Sequence, residues 1–70
     1  MNYENVKGFK RLSPDQQQLL ISTHKRHLAS VGNDYKLGYT PINVKPAGKS
    51  VIINFKNGEW LHYTASGEWY

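Results

Sequence analysis

Residues 51–64 read VIINFKNGEWLHYT, two apolar runs on either side of Asn57-Gly58. An Asn-Gly pair between β-branched and aromatic runs is the strongest short signal for a two-residue type I′ turn, which requires positive φ at both central residues. The stretch therefore predicts an antiparallel hairpin with strands 51–56 and 59–64.

A two-residue turn sets the register of this hairpin, with Lys56 opposite Glu59 and Phe55 opposite Trp60. Side chains alternate along a strand, so each face of the sheet follows from the register. One face would carry Val51, Ile53, Phe55, Trp60 and His62. The other would carry Ile52, Asn54, Lys56, Glu59, Leu61 and Tyr63. The first set is the more apolar, so we expect it to face the core.

A further strand is predicted at 39–45, where Ile42 and Val44 alternate with polar residues. Pro41 and Pro46 restrict this strand to an edge of the sheet, because proline cannot donate a ladder hydrogen bond.

The C-terminal residues are expected to fold back on the hairpin. Ala65-Ser66-Gly67 matches a three-residue turn with Gly67 in the left-handed conformation. Residues 68–70 would then return beside the preceding strand, which places Trp69 next to Tyr63.

The helix signal begins at Ser13-Pro14-Asp15-Gln16, in which Ser13 and Gln16 form a capping box and Pro14 suits the first helical position. The helix is expected to run from Pro14 to Val31, with Gly32 as a left-handed stop. The residues that share one stripe at helical spacing are Gln17, Leu20, Ile21, His24, Leu28 and Val31.

Together these signals predict an α+β fold. One amphipathic helix packs on a three-stranded antiparallel β-meander in the order α-β-β-β. We expect one domain over residues 1–70, divided into a partly ordered N-terminal arm (1–12, anchored by Phe9 and Leu12), the helix (13–32) and the sheet (39–70).

Composition narrows the class of protein. The 70 residues contain no cysteine and carry a formal net charge of +4. A small domain without disulfides is typical of a reducing compartment, so we expect a cytoplasmic protein. The longest apolar runs span three residues, which predicts neither a signal peptide nor a membrane contact.

Enzymatic and metal chemistry find little support in the sequence. His24 and His27 lie three apart on the helix, and His62 is expected on the sheet face beneath it, but no fourth ligand accompanies them. We expect His24 and His62 at the edge of the core and His27 more exposed. The five carboxylates form no catalytic pair. We therefore expect no catalytic residues, no metal site, no cofactor and no small-molecule substrate.

The surplus of aromatic residues indicates a binding function. Leu61, Tyr63 and Trp69 are expected on the sheet face away from the helix, unless the N-terminal arm covers them. The leading hypothesis is a small accessory or regulatory protein that binds a protein partner, or a second copy of itself, through these three residues.

Nucleic-acid binding is the alternative hypothesis. Lys7, Lys10, Arg11, Lys25 and Arg26 give the N-terminal half most of the positive charge, and phosphate contacts by such residues would be joined by aromatic stacking on bases.

Overall fold

A computed structural model describes residues 2–70, so Met1 of the predicted arm lies outside the described residues. The chain forms helix α1 (Pro14–Ser30) followed by strands β1 (Pro41–Ala47), β2 (Ser50–Phe55) and β3 (Trp60–Tyr63). Within residues 2–70 the strands form a three-stranded antiparallel sheet in the order β1-β2-β3. The predicted α+β class and the order α-β-β-β are confirmed.

Helix α1 begins where its capping residues predict. The Ser13 hydroxyl accepts from the Gln16 backbone N–H at 3.2 Å, and the Gln16 side-chain oxygen accepts from the Ser13 N–H at 3.0 Å. The predicted stop is wrong in its mechanism. Gly32 has φ −61° and is extended, and the helix instead ends as Val31 turns to φ −96° and ψ 139°.

The buried face of α1 differs from the predicted stripe. Leu20 and His24 are buried as expected, but the face is rotated toward three polar residues, Gln16, Thr23 and His27. Polar groups can be buried when their hydrogen bonds are satisfied. The Gln16 amide, for example, donates to the carbonyls of Gly48 and Ser50 at the β1–β2 turn.

Strand β1 is the edge strand that its prolines predict. It pairs with β2 through a two-residue turn, Gly48-Lys49, and Gly48 has φ +61°. Lys45 and Asn43 lie opposite residues of β2 in the ladder, whereas the N–H of Val44 points away from β2 and donates to the carbonyl of Lys7 at 2.8 Å. By alternation the nitrogen of Pro46 also points to the open side, where no ladder donor is required.

The N-terminal arm is ordered against the edge of β1. Two short 3-10 turns, Tyr3–Asn5 and Phe9–Arg11, bring Val6, Phe9 and Leu12 into the core. Lys7 forms a parallel bridge with Asn43 of β1.

The hairpin between β2 and β3 forms, but its predicted register is wrong by one residue. Val51 pairs with Tyr63 and Ile53 with Leu61, in place of the expected Thr64 and His62. Phe55 donates to the carbonyl of Glu59, so the loop is the three residues 56–58. Gly58 has φ +88°, while no non-glycine residue among 2–70 has positive φ, which rules out the type I′ turn.

Contacts from outside the hairpin account for the longer loop. The backbone N–H groups of Lys56 and Asn57 donate to the carbonyls of Thr40 and Gly38, both at 2.9 Å. Within the loop itself, the Asn57 side chain also accepts from the N–H of Glu59 at 2.9 Å. These bonds use donors that a two-residue turn would orient differently. Because the side-chain period of a strand is two, the one-residue slip turns every side chain of β3 to the opposite face.

The C-terminal segment returns as predicted. Gly67 has φ +87°, the N–H of Thr64 donates to the carbonyl of Glu68 at 2.8 Å, and Tyr63 forms an antiparallel bridge with Trp69. His62 and Tyr70 exchange backbone hydrogen bonds in the same way, so this segment lines the free edge of β3.

The core lies between α1, the arm and the inner face of the sheet. Its largest fully buried apolar side chains are Tyr63, Phe55, Leu20, Ile53, Val44 and Val51. Within residues 2–70 no helix combines the length and the apolar character needed to cross a membrane.

Candidate functional site

The side of the sheet that faces away from α1, here called the outer face, displays two rows of side chains. The first row crosses the sheet through paired residues and continues onto the C-terminal segment: Lys45, Ile52, His62 and Tyr70. In the second row Asn54 of β2 lies opposite Trp60 of β3. The corrected register of β3 is what places Trp60 and His62 here.

The outer face is open to solvent. The side chains of Trp60 and Tyr70 are 59% and 70% exposed. A shallow groove of about 320 Å³ runs over β2, and we call it the sheet groove. It is lined by Lys45, Ile52, Asn54, Trp60 and His62. Lys45 stands on the β1 side of this groove and the aromatic residues stand on the β3 side.

The rings on the β3 side form an aromatic wall. The His62 and Tyr70 rings are nearly parallel, at 9°, with centroids 5.1 Å apart. This separation is close to the ~4.8 Å spacing of neighbouring strands. The two rings therefore stack on each other, and their backbones are paired side by side. The centroid of the Trp60 ring lies 5.7 Å from that of the His62 ring, and the planes of the two rings meet at 61°.

The residues predicted to form a protein-binding face lie on the other side of the sheet. Tyr63 has no exposed surface, and Leu61 and Trp69 are half-buried against the core. The predicted outward orientation of Leu61, Tyr63 and Trp69 is therefore wrong, because the three-residue loop reverses the faces of β3. These three side chains are hidden because they point toward α1, and not because the N-terminal arm covers them.

Two buried histidines link α1 to its surroundings through tyrosines. His24 is 1% exposed; its Nε2–H donates to the carbonyl of Tyr39 at 2.9 Å, so its Nδ1 accepts from the Tyr3 hydroxyl at 2.7 Å. Burial lowers the pKa of His24 and raises the pKa of Tyr3. The neutral imidazole is thus the form that the fold accommodates.

His27 is equally hidden, contrary to its predicted exposure. It is 4% exposed, and its Nδ1 lies 2.9 Å from the Tyr63 hydroxyl. Burial, followed by the proximity of His24, lowers the pKa of His27, and burial raises the pKa of Tyr63. With so little surface, neither histidine is accessible to a substrate.

The three histidines do not converge. His24 and His27 lie beneath the sheet, whereas His62 lies on the outer face. Across the described part of the chain, no group of three or more histidine, cysteine, aspartate or glutamate side chains is placed to hold a metal ion.

The basic residues of the nucleic-acid hypothesis are all exposed: Lys7, Lys10, Arg11, Lys25 and Arg26. They are distributed over both sides of the molecule. Lys7 is bridged to the edge of β1, while Arg26 donates to the carbonyl of Gly67 at 2.6 Å, beside the opposite edge of the sheet. These two positions are separated by the width of the sheet, so the five residues do not make one phosphate-binding strip.

A larger depression of about 460 Å³ opens at the start of α1, next to Gln16 and Lys49. The Gln16 amide at this position already bonds to the β1–β2 turn, and the Asp15 carboxylate lies on the rim. This depression therefore presents no free arrangement of groups comparable to the outer face.

The sequence did contain a signal for the correct outer face. Lys56-Asn57-Gly58 also fits a three-residue loop with glycine in the left-handed third position. That alternative exposes Trp60 and His62, which a two-residue turn would direct into the core. Comparison of the chain with family models, curated proteins and solved structures gives no match. Function is therefore inferred from the chemistry of the outer face.

Proposed function

We propose that this chain is a non-enzymatic accessory protein that binds a protein partner through its outer face. The observation that carries the proposal is the 59% exposure of Trp60 beside His62 and the 70% exposed Tyr70. Tryptophan and tyrosine dominate the energetics of protein interfaces, and clustered exposed aromatic residues are uncommon on monomers unless they are used.

The sheet supports such a role by holding the side chains rigid. Trp60 and His62 project from a strand that is hydrogen-bonded on both sides, by β2 and by the C-terminal segment. Preformed surfaces lose less conformational entropy on binding. The outer face is thus a preformed surface that suits a specific ligand.

The absence of catalysis is part of the proposal. The two histidines with shifted pKa values are buried, and the outer face brings together no nucleophile and base. We also propose a cytoplasmic location. The chain contains no cysteine, whereas small domains of oxidising compartments usually rely on disulfides for stability.

A protein partner is favoured over nucleic acid. The sheet groove contains one ammonium group, that of Lys45, and the basic residues elsewhere are dispersed. Nucleic-acid affinity depends on several phosphate contacts along one surface. The aromatic and apolar content of the groove is more typical of the centre of a protein interface.

Selection from a random peptide display library on the wild-type protein tests the proposal. Selected peptides should lose most of their affinity for Trp60→Ala and retain it for Tyr35→Ala. Tyr35 is a matched control because it is 69% exposed and does not line the sheet groove. Both variants should keep the wild-type circular dichroism and unfolding midpoint, since both side chains are exposed.

Peptides that bind wild type and Trp60→Ala equally would refute the outer face as the binding surface. Tight, salt-sensitive binding of single-stranded oligonucleotides that Trp60→Ala abolishes would replace the protein partner with nucleic acid.

A further inference from the structure

We infer that the sheet groove binds a proline-rich segment in the polyproline II conformation, an inference that rests on the proposed function and specifies its partner. The groove lies over β2, between Lys45 on one side and the aromatic wall of Trp60 and His62 on the other, with Ile52 and Asn54 as its floor. Four features of the molecule point to this class of ligand.

The first feature is size. A strand of six residues is about 20 Å long, and three strands span roughly 15 Å, so the outer face offers a few hundred Å². A stable dimer or a complex with a folded partner buries about 800 Å² on each side. The outer face is therefore too small for a second copy of this chain to form a stable dimer through it alone, and it suits a short linear segment.

The second feature is that both edges of the sheet are occupied. On β1, the Val44 N–H already donates to Lys7, and Pro46 has no N–H. On β3, His62 exchanges both of its backbone hydrogen bonds with Tyr70. An extended peptide that needs ladder hydrogen bonds cannot add to these positions. The side chains on the outer face remain as the binding groups that the sheet offers beside these positions.

The third feature is the exposed ring of Trp60. Polyproline II segments dock in aromatic-lined grooves, where their pyrrolidine rings pack against aromatic rings. The His62 and Tyr70 rings stack on each other, and Trp60 is tilted by 61° to His62. The Trp60 ring, which is 59% exposed, is not part of the stacked pair and is open to contact with a pyrrolidine ring.

The fourth feature is the balance of hydrogen-bonding groups. The Trp60 indole N–H, the Lys45 ammonium and the Asn54 amide all supply donors, and the first two supply no acceptor. A proline-rich segment has the opposite composition, since its carbonyls accept and its proline nitrogens cannot donate. The groove therefore offers donors to the carbonyls of such a ligand.

Titration of the ¹⁵N-labelled full chain with a decaproline peptide tests the inference. We expect saturable shifts of the Trp60 indole and Asn54 side-chain amide resonances. A glycine-serine peptide of equal length is the ligand control and should cause none. Trp60→Ala should weaken binding by at least about tenfold, as expected for a central aromatic contact, whereas Tyr35→Ala should leave it unchanged.

A second variant tests the groove without relying on correct folding of Trp60→Ala. Asn54→Ala removes one donor from the floor of the groove and should weaken decaproline binding several-fold, with the buried Ile53 methyl resonances as the measure of folding.

The failures of the two proposals are distinguishable. If decaproline does not bind, or binds without shifting Trp60, the inference is wrong. The proposed function then still stands when display-selected peptides of other composition shift Trp60. If a single-stranded oligonucleotide shifts Trp60 and no peptide does, both proposals are wrong.

Discussion

Tyr63 of β3 and His27 of α1 form a hydrogen bond in the core, with the tyrosine hydroxyl 2.9 Å from the histidine Nδ1. Tyr63 has no exposed surface and its ring meets the His27 ring edge-on, with centroids 6.0 Å apart. This pair joins the helix to the last strand. It can form only when Tyr63 faces inward, so it favours the observed register of the hairpin over the alternative shifted by one residue.

Replacing Tyr63 with phenylalanine tests the contribution of this bond. Tyr63→Phe leaves the His27 Nδ1 without its partner, and we expect the free energy of unfolding in urea to fall by about 1–3 kcal/mol. Tyr39→Phe is the control, because Tyr39 also packs on His27 but contributes its backbone carbonyl to His24. Equal stability of Tyr63→Phe and wild type would show that the buried hydrogen bond contributes nothing.

Acid should destabilise the protein through His24 and His27. The pKa of each is lowered from its ordinary value of 6.5, mainly by burial, so the unfolded chain binds more protons than the folded protein below that pH. Stability is therefore complete above about pH 6.5 and falls as the pH drops toward the lowered pKa, by at most about 1.4 kcal/mol per pH unit for each histidine.

Urea midpoints measured from about pH 8 to pH 5 test this linkage, because carboxylates titrate mainly at lower pH. A midpoint that stays constant over this range would contradict the assignment of His24 and His27 as neutral groups.

Gly8 is required for the arm to pack on β1. Its φ is +91°, and a Cβ at this position would overlap the carbonyl oxygen of Val44. Gly8→Ala should therefore cost more than the ~1–2 kcal/mol of left-handed strain alone. Gly58→Ala is the matched control, because Gly58 has φ +88° and open space around the added carbon.

Hydrogen exchange at the Val44 amide, which donates to Lys7, should accelerate in Gly8→Ala and not in Gly58→Ala. Similar losses of stability in the two variants would show that the arm does not depend on this close approach.

Arg26 is expected to act as a structural residue. Its guanidinium donates to the carbonyl of Gly67, so Arg26→Ala should cost about 1 kcal/mol and speed amide exchange around the 65–67 turn. Lys25→Ala, an exposed neighbour on the same helix, should change neither quantity. Exchange at the turn that is unaffected by Arg26→Ala would rule out this role.

Local chemistry made several elements predictable. The Ser13 and Gln16 capping box requires residues only three apart, and the Gly67 turn requires one left-handed residue, so neither depends on the rest of the molecule. The edge position of β1 follows from Pro46 alone. An exposed aromatic face also follows from the surplus of rings, although the residues that form it do not.

The sequence by itself determined the α+β class, the start of α1 and the edge strand. It also gave the approximate positions of the turns at residues 56–58 and 65–67. Only the tertiary structure decided the register of β3, and with it whether Trp60 or Tyr63 faces solvent. The physical reason is that Lys56-Asn57-Gly58 is compatible with two loop lengths. Backbone bonds from residues 38–40 and the buried contact of Tyr63 with His27 select one of them.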